Sequence, residues 1–304
     1  MKSIAPENVH SRIRGRDDVV FSIIMHTVLV IFSLFFLLPF LNVISLSFSE
    51  SYHVLKGDVL FWPKGFSLLA YQEVFADNKV LPALGNTVLL ATAGCLLSML
   101  ATAMAAYPIV FTDAPGKKLY SAMIMITHFF SAGIVPTFIT VTGYGLLNSY
   151  WALILLALVS AYNVLVVKAF YASLPMSLVE SARIDGANDF KILFRIVIPL
   201  AKPVLATIAM WIIVGHWNDY LTVSIYIKNE SRYTLQLVLK EMLKTKMLNY
   251  ETTAQSAENM LQNQGLSEQL KYVACIISML PMLAIYPFFQ RFFVKGVMIG
   301  AVKG

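Results

Sequence analysis

Four consecutive residues, Trp217-Asn218-Asp219-Tyr220, combine two aromatic rings with an amide and a carboxylate. That set suits a polyhydroxylated ring, since an aromatic face packs on its apolar side while amide and carboxylate bond its hydroxyls. Asp219 stands inside an otherwise uncharged apolar run. An ionisable side chain within a bilayer is costly unless it faces water or a partner, which makes it a functional candidate. A second reading is equally physical: Trp and Tyr belong to membrane-interface belts, and a shift of a few residues puts Asp219 at the surface.

A second cluster, Glu180, Arg183 and Asp185 beside Gly186, sits in the segment 174–199, which reads as two short helices. Ser177 and Glu180 have capping-box spacing. Gly186 suits the left-handed residue that stops the first helix. Asn188 can cap the next, whose apolar face runs through Phe190, Leu193, Phe194 and Val197 until Pro199 ends it. A helix of about two turns is not stable alone in water, so the first one must pack on its own bundle or on a separate protein.

Other chemistries find little support. Cys95 and Cys275 lie in apolar runs and read as small apolar side chains, and the five histidines form no cluster with metal-ligand spacing. Gly116-Lys117 is followed by Lys118 and lacks the earlier glycine of a phosphate-cradling loop. The net charge of +6 comes from basic residues that flank apolar runs, a topology signal rather than a nucleic-acid stripe. No paired carboxylates or activated nucleophile suggest an enzyme.

The elements that must position these residues are membrane helices. Hydrophobic residues make up 58% of the 304, and only 13% are charged, against about 25% in a soluble domain. Six segments are long enough to span, at 19–41, 84–111, 119–141, 149–170, 204–227 and 272–294. The apolar stretch 19–48 is far longer than the core of a cleavable signal. Basic residues concentrate in the first tail, the 112–118 turn, the 171–202 loop and the end of the chain, which places both termini inside. Two long segments, 49–83 and 228–271, then lie outside. The second has helical spacing at Leu235, Leu239, Met242 and Leu243, and its length predicts a folded element.

The segment 174–199 resembles the EAA loop of binding-protein-dependent ABC importer permeases. It carries Glu180-Ser181-Ala182, Asp185-Gly186-Ala187 and Ile196-Val197-Ile198-Pro199, followed by Pro203. It departs from the pattern at Ser181 and Ile198, and 108–113 stands where an Arg usually follows Ala-Tyr. An ordered set of shorter pieces carries the resemblance along the chain: Asn86-Thr87, Ala105-Ala106-Tyr107, Ile134-Val135-Pro136-Thr137, Gly145-Leu146-Leu147-Asn148, Trp217 to Tyr220, and the ending 290–304. It is similar to the carbohydrate subfamily on the maltose-permease plan. Phe130-Ser131-Ala132-Gly133 and the 296–304 ending resemble its branch for complex oligosaccharides.

The resemblance implies an all-α integral membrane protein with six transmembrane helices and the type I ABC importer permease fold, both termini cytoplasmic. It divides the chain into a tail, 1–18, and a permease domain, 19–304, with a coupling loop at 171–203 and an extracytoplasmic loop at 228–271. The implied function is that of a permease subunit of a carbohydrate importer in a bacterial cell membrane, with an oligosaccharide as solute. Glu180, Ser181, Ala182, Asp185, Gly186 and Ala187 would couple to the ATPase. Trp217, Asn218, Asp219 and Tyr220 are the substrate-path candidates. The implied chain holds no catalytic residue, metal or cofactor, because ATP and Mg belong to two partner ATPase subunits. A second permease subunit, an extracytoplasmic solute-binding protein and membrane lipid complete the partners, with no nucleic acid. The alternative, an ion-coupled secondary transporter, predicts several ionisable groups at mid-membrane, and the sequence offers Asp219 alone.

Overall fold

The computed structural model describes residues 16–253 and 257–301, so the tail before residue 16 and the terminal Lys303-Gly304 lie outside the described residues. Helices dominate; among the described residues the one strand-like pairing is an isolated bridge between Ser49 and Phe66. The chain opens with α1 (Arg16–Phe48), apolar on every side and with its 23–41 side chains all exposed. A helix apolar all round needs lipid or another helix about it. Pro39 lies inside it without a break. Two short helices, α2 (Ser51–Lys56) and α3 (Leu69–Phe75), then lead into α4 (Val80–Phe111).

The centre of the bundle is α4, whose 32 residues reach about 48 Å at 1.5 Å per residue. Its buried face is a row of small side chains, Thr87, Ala91, Gly94, Cys95, Ser98, Thr102 and Ala106. In lipid the hydrophobic effect does not drive helices together, and small residues let backbones approach closely enough for dispersion to do so. This face receives the later helices α8 (Ala161–Ala172) and α12 (Lys202–Asn218).

Three of the expected spans are broken. The 119–141 segment is α5 (Lys117–Phe129) and α6 (Ile134–Gly143), bent by 119°. Gly133 takes a φ of +83° at the break, where a side chain would be strained. The 149–170 segment is α7 (Tyr150–Ala157) and α8 (Ala161–Ala172), bent by 45°. The 204–227 segment is not continuous either. It divides into α12 (Lys202–Asn218) and α13 (Leu221–Tyr226), because Asp219 turns to extended backbone with ψ 97°.

Between α8 and α12 lie α9 (Met176–Ile184), α10 (Asp189–Ile192), a π-helical turn (Leu193–Val197) and α11 (Ile198–Leu200). The chain therefore stays helical through Pro199 and turns at Ala201, where α12 leaves at 83°. A proline cannot donate to the preceding turn, and the wider π turn ahead of it accommodates that loss. After a 3-10 turn (Glu230–Arg232) come α14 (Leu235–Thr253) and the long α15 (Ala257–Ala301). The described residues of the 228–271 segment are thus folded, with Leu235, Leu239 and Met242 buried against α15.

Among the described residues three helices, α1, α4 and α15, are long and apolar enough to cross a membrane, and counting α5 with α6, α7 with α8, and 189–200 with α12 as one crossing each gives up to six. The two ends of α4 carry different partners. At its first end, Asn86 Nδ2 donates to the carbonyls of Ser231 and Tyr233, and Thr87 Oγ1 accepts from the Leu235 N–H at 2.8 Å. At its last end it meets α9 and α10. A buried amide anchors α15 to the turn after α1: Gln269 Nε2 donates to the carbonyls of Ser47 and Ser49, and Ser51 Oγ donates to Gln269 Oε1 at 2.9 Å.

Candidate functional site

The loop around α9 is held from both sides. Its start is not the expected capping box: Pro175 is the N-cap and Ser177 already lies inside the helix. Proline's fixed φ is suited to a helix start, so the helix begins before Ser177. Its stop is as the sequence suggests. Gly186 has φ +76°, and the Ala187 N–H bonds the Ala182 carbonyl at 2.9 Å while the Gly186 N–H bonds that of Arg183 at 3.0 Å. This pair of bonds is the glycine-terminated Schellman stop. Asn188 Oδ1 then accepts from the Lys191 N–H at 2.9 Å and caps α10.

The short helix divides into two faces. Val179 and Ala182 are buried against the bundle, and Ala187 is half-buried. Glu180, Ser181, Asp185 and Gly186 are exposed, beside Leu178 and Ile184, the last of them 86% exposed. Arg183 Nη2 donates to the Phe111 carbonyl at 2.5 Å and to Asp189 Oδ1 at 3.1 Å, and Tyr107 Oη donates to the same carboxylate oxygen at 2.8 Å. The hydrogen bond to Asp189 raises the Arg183 guanidinium still further above its ordinary value, so it stays charged throughout. Sequence reasoning singled out Arg183 but missed Asp189 as its partner, because the bond exists only once α4 brings Tyr107 to the loop.

The four residues at the end of α12 do not form one surface. Trp217 is 2% exposed and its Nε1–H donates to the Ser278 carbonyl at 3.0 Å, which makes it a packing residue against α15. Asp219 Oδ1 accepts from the Thr222 N–H at 2.9 Å and so caps α13. Asn218 and Tyr220 line a cleft of about 750 Å³ between α12, α14 and α15, closed on one side by Phe40 of α1. Lys240 Nζ lies 3.6 Å from the centre of the Tyr220 ring. Gln236, Lys240 and Lys271 also line the cleft and were not singled out from the sequence.

A second feature escaped the sequence. His216, 5% exposed, packs where α12 crosses α4, and a side chain on Gly94 would overlap its Nε2. Lys168 ends in a hydrogen bond, with Nζ donating to Ser121 Oγ at 3.2 Å.

Comparison with known proteins gives this geometry a context. A model of the family described as binding-protein-dependent transport system inner membrane component matches residues 9–299. The polygalacturonan/rhamnogalacturonan transport system permease protein YtcP of Bacillus subtilis is 33% identical over 285 residues, covering 94% of this chain and 99% of that protein. Protein LplC of Bacillus subtilis is 36% identical over 269 residues, covering 88% of this chain and 90% of its own. Among solved structures, a chain of a bacterial ABC transporter involved in the import of the acidic polysaccharide alginate superposes with a TM-score of 0.77 at 29% identity. That alignment covers 92% of this chain and 98% of the other.

Proposed function

We infer the function from the premise that this chain belongs to the family of binding-protein-dependent transport system inner membrane components. It is a multi-pass protein of the bacterial cytoplasmic membrane, and a permease subunit of an ATP-binding-cassette importer for oligosaccharides. The subunit itself is non-catalytic. Nothing supports ion coupling, and Asp219, on which that alternative rested, caps α13.

Within that frame, α9 is the coupling helix. The observation that carries this reading is its two-faced burial: Val179 and Ala182 hold it to the bundle, while Glu180, Ser181, Asp185 and Ile184 are left for a second protein. That protein is one of two ATPase subunits, which bind ATP and Mg on their own residues. The loop 171–203 then lies in the cytoplasm with both termini, and 228–271 lies outside, towards the solute-binding protein. A second, different permease chain completes the membrane path, with α1 and its exposed apolar length available to it or to lipid. Asn218 and Tyr220 belong to the substrate path, while Trp217 and Asp219 support it from behind.

The test is uptake of labelled oligosaccharide by cells lacking this chain, complemented with the wild type or with Ile184→Glu. Ile184 is 86% exposed, so the substitution costs the subunit's own fold little. Accumulation restored by the wild type and abolished by the variant, at equal membrane abundance, is the expected result. Equal uptake by both would remove α9 from the coupling path.

A further inference from the structure

We propose that the cleft between α12, α14 and α15 selects saccharides that carry carboxylates, with Lys240 and Lys271 reading the charge. The proposal rests on the permease reading above and names the class of solute. Its first support is the sign of the lining: the charged side chains of the cleft are Lys240 and Lys271, with no Asp or Glu among its lining residues. The nearest acidic neighbour along α14, Glu241, lines a separate cavity with Lys79 and Lys246.

The second support is how the two ammonium groups are held. Lys271 is paired with Glu268 at 2.5 Å, so it is partly neutralised at rest. Lys240 makes no ion pair among the described residues and is held instead over the Tyr220 ring. An aromatic face orients a cation without removing its charge. A lysine oriented at the wall of a cleft that holds no carboxylate is free to pair with an incoming anion, and the two charges then attract at contact distance. A neutral sugar gains no such charge attraction from either lysine.

The third support is the company these lysines keep. Asn218 and Gln236 bring side-chain amides to the same cleft, and Tyr220 brings a hydroxyl, the donors and acceptors that sugar hydroxyls require. Asn218 uses its Nδ2 on the Val214 carbonyl, and its Oδ1 remains to accept. A volume of about 750 Å³ lies in the range of small-molecule sites. Farther along α15 the wall is Met279, Met282 and Phe289, which offers weak contacts and no second charge to trap the solute.

The experiment uses the complete transporter in its native cells and two labelled probes that share one backbone: trigalacturonate and its fully methyl-esterified form. Initial uptake is measured against concentration for the wild type, Lys240→Gln, Lys271→Gln and Lys240→Arg. The expected result is a wild-type preference for the acid that narrows by about threefold in the Gln variants through the acid's KM, as loss of a solvent-screened charge contact does. The ester is unchanged and Lys240→Arg retains the preference. Because the solute-binding protein is the same throughout, the change in preference reports this chain. Equal effects on both probes, or no wild-type preference, overturn the proposal. So does a loss of co-purifying anionic phospholipid from Lys240→Gln with transport unchanged. Uptake of a neutral galacto-oligosaccharide but of neither probe would sink charge selection and leave the importer standing; no uptake of any saccharide would sink both.

Discussion

Tyr107 Oη donates to Asp189 Oδ1 at 2.8 Å, which ties the last turns of α4 to the first residue of α10. The same oxygen accepts from Arg183 on α9, and Arg183 also reaches the last residue of α4 through the Phe111 carbonyl. One carboxylate thus joins three elements, and a displacement of α9 must pull on α4, the helix that runs the length of the bundle. The ion pair itself is largely exposed and contributes about 0–1 kcal/mol. The buried Tyr107 hydroxyl matters more, since leaving it without a partner costs about 1–3 kcal/mol.

Asp189→Ala is expected to leave the assembled complex hydrolysing ATP while import falls, so that the ATP used per solute imported rises severalfold. Tyr107→Phe, which keeps the Arg183 pair, should have the same sign and a smaller size. Parallel ATPase and uptake measurements in proteoliposomes check both. A proportional fall of the two activities would assign Asp189 to folding alone.

Gly186 separates backbone from partner. Its φ of +76° makes most side chains strained by about 1–3 kcal/mol, yet a Cβ there meets nothing within 4 Å in this chain. Asn tolerates the left-handed region. Gly186→Asn should therefore match the wild type in membrane abundance and melting while its ATPase subunit dissociates more readily. Retention of the ATPase on purification, equal to wild type, would show that the space beyond Gly186 is not an interface.

The crossing of α4 and α12 depends on a matched pair. Gly94→Ala puts a methyl into the His216 ring and should destabilise the subunit by about 1–3 kcal/mol, as overpacking does. His216→Ala removes the obstacle, so the double variant should recover part of the loss. Melting curves of the two single variants and the double one form the cycle. Strict additivity would contradict direct contact.

The junction of α15 with the turn after α1 is the third packing point. Gly265 lies against the Ser51 backbone, which cannot yield as a side chain can, and Gln269 is fully buried with partners on both ends of its amide. Gln269→Leu should cost about 1–3 kcal/mol by leaving those groups unpaired. Gly265→Ala should lower the melting midpoint at least as far. A midpoint within error of wild type for both would mean that the junction contributes nothing to stability.

The sequence was most readable where one signal dominates. Long apolar runs marked α1, α4 and α15, and the prolines inside them, Pro39, Pro108, Pro281 and Pro287, do not interrupt them. The breaks fall elsewhere, at Gly133, between Ala157 and Ala161, at Ala201 and at Asp219, and only the first of these carries a glycine, so the turns come from packing that no local signal marks. Gly186 and Asn188 were legible, since a left-handed stop and a cap are local chemistry. Ser177 misled by having the right spacing two residues too late. Trp217 misled as well: its aromatic neighbours suggested a sugar platform, and the tertiary fold turns it into the core. Lys240, Asp189 and His216 were invisible for one reason, that each acquires its role from a residue far away in the chain.

Coupling of this subunit to an ATPase through α9 is open to direct test. The most direct measurement is affinity purification of the tagged chain from native membranes in mild detergent, as wild type and as Ile184→Glu, with co-purifying proteins identified by mass spectrometry. An ATP-binding-cassette ATPase and a second permease are expected with the wild type, and the permease without the ATPase in the variant. An ATPase retained equally by both forms, or absent from the wild type under conditions that keep the second permease bound, would contradict it.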